Sequence, residues 1–375
     1  MKMDFSFFQK TDILWARTAS VLPAGKNDEV MTVFRKNSRK QTLGVVLLGA
    51  VLMGTLSGCG QGEVTELEDP PVALSGVGGV VSSEVEMVAD AADLAGETAA
   101  MESAPAALPH VMTAVASGVH VKENTRAVID YSNAEEGYVM VQYTAETSQR
   151  LKVQVKGPST KYTYNLCPRK WETFPLSDGN GSYQITVYQN VTDSKYASVL
   201  SLTTEVTLVD EFGPFLHSNQ YVDFDAAPKS VKKAAQLTQG LAAPLKKVEV
   251  IYDYVVQEMT YDKELAASVK SGYLPVLDEV LEKKSGICFD YAALMTGMLR
   301  SQAVPCKLVV GYAGTVYHAW ISVWSEETGW VDGVIYFNGT SWQRMDPTFA
   351  SSGQGNEAIL AYIGDGTNYS AKYFY

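Results

Sequence analysis

The chain has 375 residues, 46% of them hydrophobic and 19% charged, enough for two globular domains plus further segments. A formal net charge of −12 argues against a nucleic-acid partner, since phosphate binding needs a basic surface. Cys59, Cys167, Cys288 and Cys306 form no CxxC, and His110, His120, His217 and His318 form no HxH or HxxxH; zinc ribbons, thioredoxin-like redox chemistry and histidine metal sites are disfavoured, and no cofactor is expected.

Residues 35–40 (RKNSRK) are a positive cluster, followed by an apolar run from Leu43 to Gly58. The run falls short of the roughly 20 residues a spanning helix needs, and a positive start, apolar middle and small-residue end describe a secretion signal. Its end, Leu56-Ser57-Gly58-Cys59, resembles the bacterial lipoprotein lipobox. That resemblance implies cleavage before Cys59, lipidation of its sulfur and attachment to the extracytoplasmic face of the bacterial cell membrane. The alternative is a short membrane anchor followed by an ordinary cysteine. Asp4, Asp12, Asp28 and Glu29 suit no leader, and translation is expected to start at Met31 rather than Met1. Residues 1–58 are thus an upstream segment and signal.

Residues 59–118 carry no aromatic side chain and are rich in Ala, Val, Gly, Ser, Glu and Pro. They are expected to form a flexible acidic tether, with some helix over 85–101, because they lack the apolar bulk that offsets ordering entropy.

From Val119 to Asp210 the pattern becomes all-β. Short alternating runs cover 126–131, 138–144, 150–156, 161–166, 183–188 and 198–208, separated by turn residues such as Ser177-Asp178-Gly179-Asn180-Gly181-Ser182. Val139, Val141 and Tyr143 alternate with polar neighbours, as do Leu151, Val153 and Val155, which predicts antiparallel sheet with one wet face. A sandwich of immunoglobulin-like type is expected over 119–210, serving as a spacer or a substrate-recognition surface. Cys167 is a lone half-buried thiol or, less favourably, bridges to Cys306 across domains.

Residues 211–375 hold the chemistry. Helices are expected over 228–241, 245–259, 275–284 and 288–302, the last apolar nearly all round and therefore central. Strands follow over 306–312 and 316–324, then a hairpin of 330–337 and 341–345 around Asn338-Gly339. The domain is α+β, helices packed on antiparallel sheet. Cys288 opens the central helix after Ser285-Gly286-Ile287, where outward N–H groups lower a thiol pKa. His318 lies in a strand and shares a face with Trp320, and Asp346 follows another strand. A thiolate attacks a carbonyl, an imidazole moves the protons and a carboxylate fixes the imidazole tautomer; these three residues supply those parts.

Gly286-Ile287-Cys288-Phe289-Asp290-Tyr291-Ala292, Tyr317-His318-Ala319-Trp320 and Met345-Asp346-Pro347-Thr348 together resemble the transglutaminase-like superfamily over about residues 229–350. The resemblance implies a papain-like core with Cys288 as nucleophile, His318 as general acid/base and Asp346 as orienting residue. It covers crosslinking enzymes, proteases, peptide N-glycanases and inactive relatives, so it leaves the reaction open.

Cys306 is expected to be an inert buried thiol, Asp290 a first-turn carboxylate complementing the helix dipole, and Trp320 a packing residue. For stabilising the developing oxyanion, the Cys288 N–H is one donor and Tyr261 and Tyr273 are candidates for the second. No calcium-loop spacing occurs. The function expected is a lipid-anchored thiol enzyme acting on amide bonds of protein or cell-wall peptide, hydrolysis favoured over amine transfer. The alternative is a catalytically silent adhesion or scaffold lipoprotein.

Overall fold

A computed structural model describes residues 64–70, 111–326, 329–332, 335–337, 342–344 and 368–375. The signal with its lipobox, both candidate start methionines, Cys59, most of the expected tether including 85–101, and Asp346 lie outside the described residues.

The first half is β. Its strands are β1 (Val64–Glu66), β2 (Val121–Glu123), β3 (Ala127–Asp130), β4 (Tyr138–Tyr143), β5 (Leu151–Lys156), β6 (Lys161–Leu166), β7 (Glu172–Pro175), β8 (Gly181–Thr192) and β9 (Lys195–Val206). They build two antiparallel sheets, ordered β1-β9-β8-β5-β6 and β2-β3-β4-β7. Ile129 pairs with Val141 and Val153 with Val187; these four are fully buried, as the alternation requires. β8 and β9 run longer than the sequence suggests, because a tight turn with Asp193 at φ 46° extends the hairpin.

Two observations depart from expectation. Residues 64–66, within the stretch read as tether, form β1 against β9. As a result Lys152, placed by alternation on the wet face, is fully buried. Its ammonium donates to the Glu68 carbonyl at 2.9 Å and to Asp69 Oδ1 at 2.8 Å. The hydrogen bond and charge of Lys152 hold Asp69 below the usual carboxylate range, while burial lowers Lys152 itself.

The second half comprises α1 (Pro228–Leu237), α2 (Pro244–Glu258), β10 (Thr260–Tyr261), α3 (Lys263–Ser268), α4 (Leu277–Lys283), β11 (Ser285–Gly286), α5 (Cys288–Arg300), β12 (Cys306–Ala313), β13 (Val316–Ser325), β14 (Gly329–Asp332), β15 (Ile335–Phe337), β16 (Trp342–Arg344) and β17 (Tyr369–Phe374). Proline opens α1 and α2, where its missing N–H costs nothing. α1 stops at Leu237, short of the expected Leu241, with Thr238 Oγ1 donating to the Ala234 carbonyl. Every residue of α5 is buried; it packs against α1, α2 and α4 on one side and β12 and β13 on the other. The main sheet is ordered β14-β13-β12-β17. The single strand expected over 330–337 is two: β14 joins β13, while β15 pairs with β16.

The halves share a core. Tyr164 of β6, Tyr221, Tyr375 and Phe289 of α5 form an aromatic cluster with centroids 4.4–5.8 Å apart. Beside it, the buried Arg300 guanidinium donates to the carbonyls of Cys306 (2.9 Å), His217 (2.8 Å) and Tyr375 (2.6 Å).

Candidate active site

The approach to Cys288 is built from short pieces. α4 ends at Lys284 in the left-handed region (φ 51°) and the chain turns into β11. β10 runs parallel to β11, with Thr260 N–H donating to the Lys284 carbonyl at 3.0 Å and Asp262 N–H to Gly286 at 2.9 Å. Ile287 then caps α5 without an acceptor side chain. Asp290, three residues on, supplies one-sided capping: its Oδ2 accepts the Ile287 N–H at 2.8 Å. Tyr273 donates its hydroxyl to Asp290 Oδ1 at 2.7 Å. Burial raises the Asp290 carboxyl to about 6, and the Ile287 and Tyr273 hydrogen bonds limit the rise. Asp290 is therefore the first-turn carboxylate expected, with a partner the sequence did not indicate.

Cys288 is the first residue of α5 and is fully buried. The two tyrosines considered beside it separate. Tyr273 is committed to Asp290. The Tyr261 hydroxyl is buried, has no hydrogen-bond partner among the described residues, and is made less acidic by burial and then by the charge of Cys288 nearby.

His318 sits on β13, 1% exposed, opposite Gly311 of β12. Its ring stacks on Trp320 with centroids 6.2 Å apart, and Tyr369 lies 6.3 Å from His318 and 5.1 Å, edge-on, from Trp320. Tyr369 arrives on β17, which approaches β12 so closely that a Cβ on Gly311 would meet the Ser370 carbonyl oxygen at 2.1 Å. Tyr369 was missed in the sequence; the alternation of Tyr369, Ala371 and Tyr373 was the available signal. Because α5 packs on β13, Cys288 and His318 lie on touching elements.

The other described thiols differ from Cys288. Cys306 is buried, and burial pushes its pKa up to about 12. Cys167 is exposed, and all three described cysteines are free, so no bridge joins Cys167 to Cys306. Among the described residues no group of three or more His, Cys, Asp or Glu could hold a metal, and no helix is long and apolar enough to cross a membrane.

Residues 231–347 match the family model for the transglutaminase-like superfamily. Curated relatives include the uncharacterized protein YebA of Bacillus subtilis, 26% identical over 42% of this chain and 24% of its own length. A protein-glutamine gamma-glutamyltransferase of Pseudomonas aeruginosa is 28% identical over 28% of this chain and 17% of its own. A UPF0252 protein of Methanocaldococcus jannaschii is 26% identical over 41% and 49%. The chain thus spans less than half the length of each of these relatives. Among solved structures, the periplasmic domain of TgpA from Pseudomonas aeruginosa is 19% identical, covering 65% of this chain and 79% of that one with a TM-score of 0.30. The region 231–347, which encloses Cys288, His318 and Asp346, is transglutaminase-like.

Proposed function

We propose that the chain is a thiol enzyme acting on amide bonds, with Cys288 as nucleophile, His318 as general acid/base and Asp346 as the residue that orients the imidazole. The observation that carries this reading is the placement of Cys288 at the start of buried α5, against the strand that bears His318, inside the family match. The imidazole takes the thiol proton and the thiolate adds to the carbonyl carbon. The Cys288 N–H and the Tyr261 hydroxyl stabilise the oxyanion. Collapse expels the amine, which leaves with the proton from His318, and a thioester remains. Water resolves the thioester, giving up a proton to His318 and yielding the acid; a primary amine in its place yields a new amide. Hydrolysis is favoured because water is in great excess. The Pseudomonas aeruginosa relative's name describes the transfer outcome, and competition between water and a labelled primary amine decides between them.

The substrate in this reading is a protein or a cell-wall peptide. Cys59 carries a lipid anchor and the enzyme works at the extracytoplasmic membrane face. The β half is an immunoglobulin-like module. The hairpins β3-β4, β5-β6 and β8-β9, divided between the sheets β2-β3-β4-β7 and β1-β9-β8-β5-β6, support that reading. A silent scaffold is the second reading, favoured by the near-complete burial of both Cys288 and His318. Trapping the acyl-enzyme with an electrophilic glutamine-amide analogue tests the first: label on Cys288 in the wild type and none in Cys288→Ala is expected, and equal labelling of the two refutes it.

A further inference from the structure

We propose that Tyr273 and Asp290 are positioning residues that hold the first peptide of α5 so that the Cys288 N–H faces the carbonyl oxygen under attack. The proposal rests on the reading of Cys288 as an acyl-forming nucleophile.

The first N–H groups of a helix make no intrahelical hydrogen bonds, so their direction depends on what fixes the cap. Here the cap residue is Ile287, whose side chain accepts nothing. Its N–H is fixed instead from inside the helix, by Asp290 Oδ2 at 2.8 Å. Asp290 is 1% exposed, and its second oxygen is held by the Tyr273 hydroxyl at 2.7 Å. Both oxygens are thus used, and rotation of the carboxylate would break one bond or the other. Gly286 closes the arrangement, since any Cβ there would lie 2.5 Å from Asp290 Cβ.

The carboxylate acts through the two hydrogen bonds it accepts, from Ile287 N–H and the Tyr273 hydroxyl. Asp262 adds to the negative field at Asp290, and Lys283 offsets it. Its contribution to chemistry is therefore geometric rather than activating.

Tyr273 is itself pinned from the β half. Ser271 Oγ donates to the Pro70 carbonyl at 2.9 Å, and Gly272, at φ +86°, would place a Cβ 2.6 Å from Asn165 Nδ2. Pro70 follows Glu68 and Asp69, both clamped by Lys152. The segment next to β1 thus supports the loop that supports the cap of α5.

Two probes separate positioning from thiol activation or general damage. Acylation of Cys288 by p-nitrophenyl acetate builds an oxyanion; alkylation by iodoacetamide displaces iodide and builds none. Both are followed on the Cys288 peptide by mass spectrometry in the full chain. Tyr273→Phe and Asp290→Ala are expected to slow acylation about tenfold and alkylation less than about twofold. Asp290→Asn is expected to recover most of that loss, since its oxygen can accept the Ile287 N–H and its amide can donate to the Tyr273 oxygen. Equal slowing of both probes, no slowing of either, or failure of Asp290→Asn to exceed Asp290→Ala overturns the proposal. Protection of Cys306 reports folding. If Tyr273→Phe exposes it, Ser271→Ala takes its place, with about threefold slower acylation expected and wild-type acylation contrary to the proposal. A wild type whose Cys288 alkylates but never acylates overturns the underlying reading as well, whereas a wild type that acylates no faster than Tyr273→Phe overturns the positioning alone.

Discussion

Gly286 has room for a hydrogen and nothing larger because Asp290 folds back over it: a Cβ there would sit 2.5 Å from Asp290 Cβ and 2.8 Å from its Oδ2. Gly286→Ala must push the carboxylate off the Ile287 N–H or shift β11 from β10. The expected outcome is a loss of about 1–3 kcal/mol in stability, read by urea denaturation, together with slower Cys288 acylation.

Asp290 gives stability a definite pH dependence. Its carboxyl rises from 3.8 in the unfolded chain to about 6 when folded, so the folded state binds more protons between those values and stability falls as pH rises through that window. A shift of this size corresponds to at most about 3 kcal/mol. Asp290→Asn removes the titration. Its melting temperature relative to wild type is expected to be higher at pH 8 than at pH 4, as measured by calorimetry at both pH values.

The Tyr261 hydroxyl is buried with no hydrogen-bond partner among the described residues, and the β10–β11 ladder sets Tyr261 opposite Gly286; in the proposed mechanism it donates to the oxyanion. Tyr261→Phe is expected to reduce kcat about a hundredfold with little change in KM, since the contact forms as charge develops on the carbonyl oxygen. A matched fall in affinity with constant kcat would assign the residue to substrate binding instead.

Arg300, the last residue of α5, ties the end of the helix remote from Cys288 to Cys306, His217 and Tyr375. One guanidinium satisfies three buried carbonyls, and burial brings its pKa down to about 10, so it stays charged near neutrality. Arg300→Met leaves those carbonyls bare and is expected to destabilise the chain by about 3 kcal/mol or more, seen as a lower urea midpoint.

Much of this architecture could be read in the residues themselves. The all-round apolar pattern of 288–302 marks a central helix, and α5 is buried at every position. The alternation through His318 and Trp320 marks β13. The elements that escaped detection are stabilised by what they dock on. β1 is three residues long and exists because β9 offers an edge; β17 exists because Gly311 lets it close on β12. Lys152 looked like a solvent-facing lysine because nothing local to it signals that residues 64–70 return to cover it. At the site, the helix start was written in Ser-Gly-Ile-Cys, whereas the Tyr273–Asp290 bond joins residues whose pairing depends on a loop fixed by the β half.

As nucleophile, Cys288 must form a thioester. The direct measurement is intact-mass analysis of the full chain incubated with a glutamine-containing peptide and quenched in acid, with and without a primary amine. The expected result is an acyl adduct on Cys288 that hydroxylamine removes, its absence in Cys288→Ala, and product partitioned between acid and amide according to amine concentration. An adduct on Cys167 or Cys306 alone, or product formed equally by Cys288→Ala, would contradict it.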